Sequence, residues 1–235
     1  MKKATLLLLL LLAFTQASAL ERAKRVALVI GNGAYKTLPL VNTVNDAKAI
    51  SAKLRKMGFA VTTAQDTDSS QLREVLLAFK EKSKNADIGI FFYAGHGVEL
   101  GGQAYVLPID ASTESAAEMA SQSFNISQIV KASLQSKRKI VFYDADLDSP
   151  FDKAEARSNE PSPRDAVIAY AGMRGEPVMD GVNQKNSPFT AALLQHLDDP
   201  QDIAIVLRKV RERVLNATNG KQEPWEYGSL KGGEL

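Results

Sequence analysis

The chain has 235 residues, of which 45% are apolar and 24% are charged, and it contains no cysteine. These proportions allow one folded domain with a sizeable core, and they exclude a disordered, collagenous or coiled-coil protein. The lack of cysteine excludes disulfide frameworks, thiolate metal sites and every mechanism with a cysteine nucleophile.

The first 19 residues have the pattern of a secretory signal peptide. Lys2 and Lys3 form a basic start, residues 6–14 form an apolar run too short to span a bilayer, and residues 17–19 suit a cleavage site. Because this segment holds two of the 29 basic residues and none of the 27 acidic ones, cleavage would leave 27 of each. We therefore expect a periplasmic or secreted protein, with no membrane span after cleavage and no electrostatic motive to bind nucleic acid.

From residue 24 onward, short apolar runs alternate with amphipathic stretches, which is typical of an α/β sheet with crossover helices. Five apolar runs predict strands, and a sixth predicts an antiparallel edge strand, at residues 25–30, 59–65, 87–93, 139–143, 166–171 and 222–230. Amphipathic stretches predict helices at residues 43–57, 69–84, 126–134, 189–197 and 203–214. The sequence thus predicts one α/β domain around a mostly parallel sheet of about six strands.

Local signals mark the ends of several elements. Gly58 suits a left-handed cap after the first helix, and Ser69 or Ser70 suits the N-cap of the second. Residues 98–107 predict a hairpin that turns at its two adjacent glycines. Residues 147–164 are polar and contain three prolines, which predicts a long mobile loop.

Two clusters with chemical potential follow neighbouring strands. Residues 95–97 (Gly-His-Gly) and residues 144–146 (Asp-Ala-Asp) lie at predicted carboxyl ends, where open parallel sheets gather their ligands. A histidine between glycines has little steric cover and a backbone free to take unusual angles, which suits an imidazole presented into a cleft. The other histidine, His196, lies near the end of a predicted helix, where surface packing and the helix dipole explain it.

These clusters resemble motifs of the caspase and metacaspase-like clan, in particular its bacterial caspase-like domains. In that family, one strand ends in Ser/Ala-Gly-His-Gly, the next ends in Asp-Ala-Cys-Arg, and a loop with Asn-Pro-Phe follows. The matching segments here are GNGAY (31–35), LVN (40–42), NDA (45–47), FFYAGHGVE (91–99), YVLPIDA (105–111), VFYDADLDSPF (141–151), NSPFT (186–190) and QEPW (222–225). The resemblance implies the caspase-haemoglobinase fold, a single three-layer α/β domain spanning residues 20–235.

The resemblance also implies a mechanism, which this chain departs from at two positions. In the family a thiolate attacks a peptide carbonyl, and the histidine of the Gly-His-Gly motif protonates the leaving amine. His96 holds the histidine position, but Asp146 stands in place of the nucleophile and Leu147 in place of the following arginine. A carboxylate that attacked an amide would form a mixed anhydride while expelling a poor leaving group. The sequence therefore predicts that the peptidase activity is lost.

Two interpretations of each aspartate stay open. His96 and Asp146 could form a hydrogen-bonded pair that fills the former cleft, or they could activate a water molecule in a residual hydrolase. Asp144 holds the position at which metacaspase-like members line a pocket for a basic residue, which makes it a candidate substrate-binding residue. Capping of nearby N–H groups would explain Asp144 equally well. We expect Asp144 and Asp146 to lie too far apart along the strand to share a proton.

Other sequence signals point to no cofactor. Acidic residues are dispersed along the chain, so no metal motif is visible, and residues 31–33 lack the third glycine of a dinucleotide-binding loop. We expect Trp225 to close the core at the edge of the sheet.

The first hypothesis for function is a catalytically inactive domain that binds a protein or peptide with arginine or lysine segments. A third hypothesis, beside the hydrolase, is assembly through the edge strand.

Overall fold

The computed structural model describes residues 23–112, 114–148, 163, 165–181, 184–230 and 235. The predicted signal peptide (residues 1–19) and most of the predicted mobile loop (residues 147–164) lie outside them. In chain order the described elements are β1 (Arg25–Gly31), α1 (Thr43–Lys56), β2 (Ala60–Gln65), α2 (Ser69–Ser83), β3 (Ile88–Ala94), β4 (Gly97–Leu100), β5 (Gln103–Val106), α3 (Ala116–Gln122), β6 (Phe124–Asn125), α4 (Ile126–Gln128, continued by a π-helical turn at Ile129–Ser133), β7 (Arg138–Asp144), β8 (Ala166–Tyr170), α5 (Pro188–His196), α6 (Ile203–Ala217) and β9 (Trp225–Ser229).

A six-stranded sheet in the order β2-β1-β3-β7-β8-β9 forms the centre of the fold. Its first five strands are parallel, and β9 pairs antiparallel with β8 at one edge. β1, β3 and β7 are apolar on both faces because helices cover both sides of a parallel sheet. The predicted α/β fold with a mostly parallel sheet of about six strands is confirmed. A second, antiparallel sheet of β4, β5 and β6 lies beside it.

Two apolar clusters cover the two faces of the central sheet and make the domain three-layered. One cluster joins the sheet to α1, α5 and α6, and the other joins it to α2 and α4. The carboxyl ends of the parallel strands consequently open at one edge, where the loops after β1, β3, β7 and β8 meet. None of the helices among the described residues is both long and apolar enough to span a membrane.

The structure differs from the sequence prediction at short elements and at one cap. Helix α2 is capped by Asp68 and not by Ser69 or Ser70, since the Asp68 carboxylate accepts the Gln71 N–H (2.8 Å) and the Gln71 side chain accepts the Asp68 N–H (3.1 Å). Helix α3 and the two-residue strand β6 were not predicted, because seven and two residues are too few for a clear periodicity.

Candidate functional site

A small pocket lies at the carboxyl ends of β3 and β7. Its volume is about 30 Å³, which is room for roughly two water molecules. The lining includes the four carboxyl side chains Asp46, Asp144, Asp146 and Asp180. Acidic residues that are dispersed in the sequence are therefore gathered here by the fold, because the first turn of α1 and the loop after β8 meet the end of β7.

Asp144, the last residue of β7, is only 5% exposed. Its Oδ2 accepts hydrogen bonds from the hydroxyls of Ser187 (2.6 Å) and Thr190 (2.8 Å) at the start of α5, and its Oδ1 accepts none from the described residues. Burial raises the pKa of Asp144 to about 6, although both hydroxyls favour the charged form. The donors to Asp144 are thus hydroxyl groups, whereas the capping interpretation expected N–H groups. Asp144 also lines the pocket.

Asp46, in the first turn of α1, is the most enclosed acid of the pocket at 1% exposure. Its Oδ1 accepts the side-chain N–H of Asn186 (2.8 Å) and the backbone N–H of Ser187 (3.1 Å). Its Oδ2 is buried and has no hydrogen-bond partner. Burial first, and the charge of Asp144 second, raise the pKa of Asp46 to about 8. The same pocket contains the Thr43 hydroxyl, which is also buried without a partner.

Asp180 joins the loop after β8 to the loop after β1. Its carboxylate accepts the backbone N–H groups of Val41 (2.8 Å) and Asn42 (3.2 Å), and the Asn42 side chain donates to the carbonyls of Asp180 (2.6 Å) and Gly181 (2.9 Å). Asp180 therefore closes one side of the pocket through these hydrogen bonds. Both of its carboxylate oxygens accept backbone N–H groups.

The hydrogen-bonded pair of His96 and Asp146, one of the open interpretations, is absent from the described residues. Asp146 Oδ1 accepts the backbone N–H of Val178 (2.9 Å), whereas His96 Nε2 donates to the carbonyl oxygen of Leu38 (2.6 Å). Burial raises the pKa of Asp146, while the Val178 N–H and the more distant His96 oppose the rise. Asp146 lines the pocket and His96 does not. The two residues that the resemblance placed in catalysis thus have separate partners, and neither is positioned by the other.

Two tyrosines hold the backbone of His96. The Tyr35 hydroxyl accepts the His96 N–H (2.9 Å), the Tyr93 hydroxyl donates to the His96 carbonyl (2.6 Å), and the rings of Tyr35 and His96 are 4.5 Å apart. His196, in contrast, lies in α5 with Nδ1 3.3 Å from Asp199, outside the pocket lining.

The glycines beside His96 allow close approach and are not in left-handed conformations. A Cβ at Gly97 would overlap the Tyr143 hydroxyl and come within 2.7 Å of the Asp146 carbonyl oxygen, and one at Gly95 would crowd the hydroxyls of Tyr93 and Tyr35. The sequence interpretation, which attributed these glycines to unusual backbone angles, was therefore wrong. They are small because buried tyrosines fill the space beneath the histidine loop.

Sequence reasoning gave no site role to three of the polar pocket residues, Thr43, Asp46 and Asp180. Asp46 has a local signal, since an acid in the first turn of a helix is favourable there, but nothing in that signal points to a pocket. Thr43 and Asp180 have none, because their placement depends on contacts between distant parts of the chain. Among the described residues, no group of three or more acids, histidines or cysteines is placed to hold a metal ion.

We predict that Gly97→Ala destabilises the fold by about 1–3 kcal/mol, because the added methyl group overlaps the Tyr143 hydroxyl. Tyr143→Phe should relieve part of this cost in the double variant. Urea unfolding of the wild type, both single variants and the double variant measures the coupling. Strictly additive free energies of unfolding would contradict the close approach.

We also predict that Asp46→Asn stabilises the protein at pH 8, by at least about 1 kcal/mol. Folding raises the pKa of Asp46 from 3.8 to about 8. The contribution of this carboxyl group to the free energy of unfolding is therefore fully present below pH 4 and is lost as the pH rises through 8. Asparagine stays neutral, and its amide can keep the contacts to Asn186 and Ser187.

The measurement is the free energy of unfolding from pH 5 to pH 8, in which the gap between variant and wild type should widen. Asp148→Asn is the matched control, because Asp148 is exposed and its side chain makes no hydrogen bond or ion pair within the described residues. An Asp46→Asn variant that is less stable than wild type at pH 8 would refute a strained acid at this position.

Comparison with known proteins identifies the family. A family model described as "Caspase domain" matches residues 24–232. Among solved structures, caspase-1 from Spodoptera frugiperda has a TM-score of 0.68 and 19% identity, covering 91% of this chain and 90% of that one, which is a likeness of fold.

Sequence relatives support the same assignment over a shorter stretch. The human mucosa-associated lymphoid tissue lymphoma translocation protein 1 is 31% identical over 88 residues, and its mouse homologue is 30% identical over the same length. The match covers 37% of this chain and only 11% of either relative. Together with the family match over nearly all described residues, the fold and the motif order show that this chain belongs to the caspase domain family.

Proposed function

We propose that this chain is a secreted, catalytically inactive caspase-family domain whose pocket binds an arginine or lysine side chain of a peptide or protein. The observation that carries the proposal is Asp46 Oδ2, a buried carboxylate oxygen in the pocket without a hydrogen-bond donor. Burial raises the pKa of Asp46 to about 8, so its charged form lacks a partner, and a basic side chain supplies both the cation and the donors that this form needs.

The dimensions and chemistry of the pocket favour the end of one side chain. About 30 Å³ is too small for a drug-sized ligand. Among the lining residues, Asp46 Oδ2 and the Thr43 hydroxyl are buried without a hydrogen-bond partner, and both hydroxyls that bind Asp144 go to its Oδ2. A guanidinium or an ammonium group has hydrogen-bond donors and no acceptor. The positive charge of either group suits a pocket with two buried carboxyl groups.

An apolar surface lies next to the acidic pocket. Leu40 lines the pocket, and its neighbours Leu38 and Val41 are 73% and 76% exposed. Such exposure of large apolar side chains beside a polar pocket is consistent with a segment in which apolar residues flank the basic one.

The proposed inactivity rests on the groups at the former reaction centre. A carboxylate at position 146 is a poor nucleophile toward amides, and its Oδ1 is occupied by the Val178 N–H. His96 Nε2 donates to the Leu38 carbonyl, and no hydrogen bond joins His96 to Asp146 among the described residues. The basic, apolar and small-residue order of residues 1–19 supports the secreted location.

We predict that the protein binds a fluorescein-labelled peptide Ala-Leu-Arg-Leu-Ala at least about tenfold more tightly than the same peptide with citrulline, a neutral isostere of arginine. Fluorescence polarisation measures both affinities. Asp46→Asn and Asp144→Asn should each lose most of the arginine preference, while Asp110→Asn, an equal charge change outside the pocket, should keep it.

The affinity for the arginine peptide should rise by at least about tenfold from pH 5 to pH 9. Asp144 and Asp46, with pKa values of about 6 and about 8, lose their protons over this range, whereas the guanidinium stays charged. Equal affinities for the two peptides would refute the cation pocket. Cleavage of the peptide that disappears in Asp146→Asn, seen by mass spectrometry, would refute inactivity and favour the hydrolase.

A further inference from the structure

One segment that the proposed function does not explain is the loop from β8 back to the pocket. Ala171 and Gly172 follow β8, and the chain returns to the pocket at residues 178–180, here called the rim segment, all three of which line it. The two ends of the loop touch, since a Cβ added at Gly172 would lie 2.9 Å from Val178 Cγ2. The position of the rim segment therefore depends on whatever holds this closed loop.

Gln222 bridges the two ends of the loop with one side chain. It is fully buried at 0% exposure, and its Oε1 accepts the Met179 N–H at 3.0 Å. Its Nε2 donates to the Ala171 carbonyl at 2.9 Å, and its own N–H donates to the Thr218 hydroxyl at 3.2 Å. A single amide thus connects the end of β8 to the rim segment and satisfies a donor and an acceptor that burial would otherwise leave unpaired.

Trp225 holds the same loop at a neighbouring point. Its Nε1–H donates to the Gly172 carbonyl at 3.0 Å, and its ring stacks on Tyr170 at 4.6 Å with 13° between the planes. The stacking explains a tryptophan at the edge of the sheet, as the sequence predicted, but the hydrogen bond to Gly172 is a separate contact. On the opposite side, Arg174 ties the middle of the loop to Glu99 (2.7 Å).

These contacts leave a defined set of backbone groups on the rim segment. The N–H groups of Val178 and Met179 are engaged by Asp146 and Gln222. The carbonyls of Val178 and Met179 and the N–H of Asp180 form no hydrogen bond with the described part of the chain. Such groups on an exposed or half-buried segment can pair with the backbone of an extended peptide.

We propose that Gln222 and Trp225 are positioning residues, which fix the rim segment so that a peptide whose basic side chain fills the pocket can dock its backbone there. The inference rests on the proposed function, and it assigns a role to the QEPW motif at residues 222–225 that the pocket itself does not use. Docking on a pre-organised segment avoids the entropy cost of ordering it, so loosening the segment lowers affinity for the peptide backbone.

The test compares two ligands that share a guanidinium but differ in backbone: the labelled Ala-Leu-Arg-Leu-Ala peptide and agmatine, measured by its displacement of that peptide. Trp225→Phe keeps an aromatic ring beside Tyr170 and removes the Nε1–H donor together with part of the ring area. Gln222→Met keeps the side-chain length and removes both amide contacts. Gln195→Met, the same substitution on the outer part of α5, is the matched control.

We expect the peptide affinity of Trp225→Phe and Gln222→Met to fall about five- to tenfold, while agmatine affinity changes less than about twofold. Losses that are equal for both ligands, or no loss in Trp225→Phe, would overturn the positioning role while leaving the proposed function intact. If Gln222→Met fails to fold, Trp225→Phe decides the question alone. Wild-type protein that binds neither ligand would overturn the proposed function together with this inference.

Discussion

Two buried carboxylates at one small pocket set the constraint around which the rest of the site is arranged. Asp46 and Asp144 both depend on the start of α5 for donors: Asn186 and Ser187 serve the first, and the hydroxyls of Ser187 and Thr190 serve the second. A helix N-terminus carries partial positive charge, which makes it a favourable neighbour for two acids. Asp46 Oδ2 remains buried without a hydrogen-bond donor, and this is the group on which the proposed binding of a basic side chain rests.

His96 and Asp146, the two positions that the family resemblance implicates in catalysis, have different hydrogen-bond partners. Asp146 is held by the rim segment through Val178, and His96 is held by the loop after β1 through Leu38. Asp46 and Asp144, in contrast, are both held by residues at the start of α5. The proposed binding role depends on Asp46 and Asp144 and does not require a contact between His96 and Asp146.

The sequence predicts the framework better than the site. Strands β1, β3 and β7 are readable because β-branched and aromatic residues run without interruption, and Ser187-Pro188 marks the start of α5 by local chemistry. The sequence also predicts Asp144 and His96 as candidate site residues, because they lie at or just after strand ends and belong to motifs in a recognisable order. The gathering of Asp46 and Asp180 at the end of β7 could not be predicted, because it depends on α1 packing against β1, β2, β3 and α5, and on the hydrogen bond from the Val41 N–H to Asp180 across the pocket. The separation of His96 from Asp146 likewise depends on backbone partners in other loops, which no local pattern encodes.

Counting the protons released when the arginine peptide binds tests the cation pocket most directly. Isothermal titration calorimetry at pH 7, repeated in buffers with different ionisation enthalpies, gives that number. With a pKa of about 8, Asp46 is mostly protonated at pH 7 before binding, and a guanidinium in the pocket favours its charged form. We expect release of about one proton for each peptide bound in the wild type and almost none in Asp46→Asn. Binding with no proton release in the wild type, or no binding at all, would contradict a pocket built on these two acids.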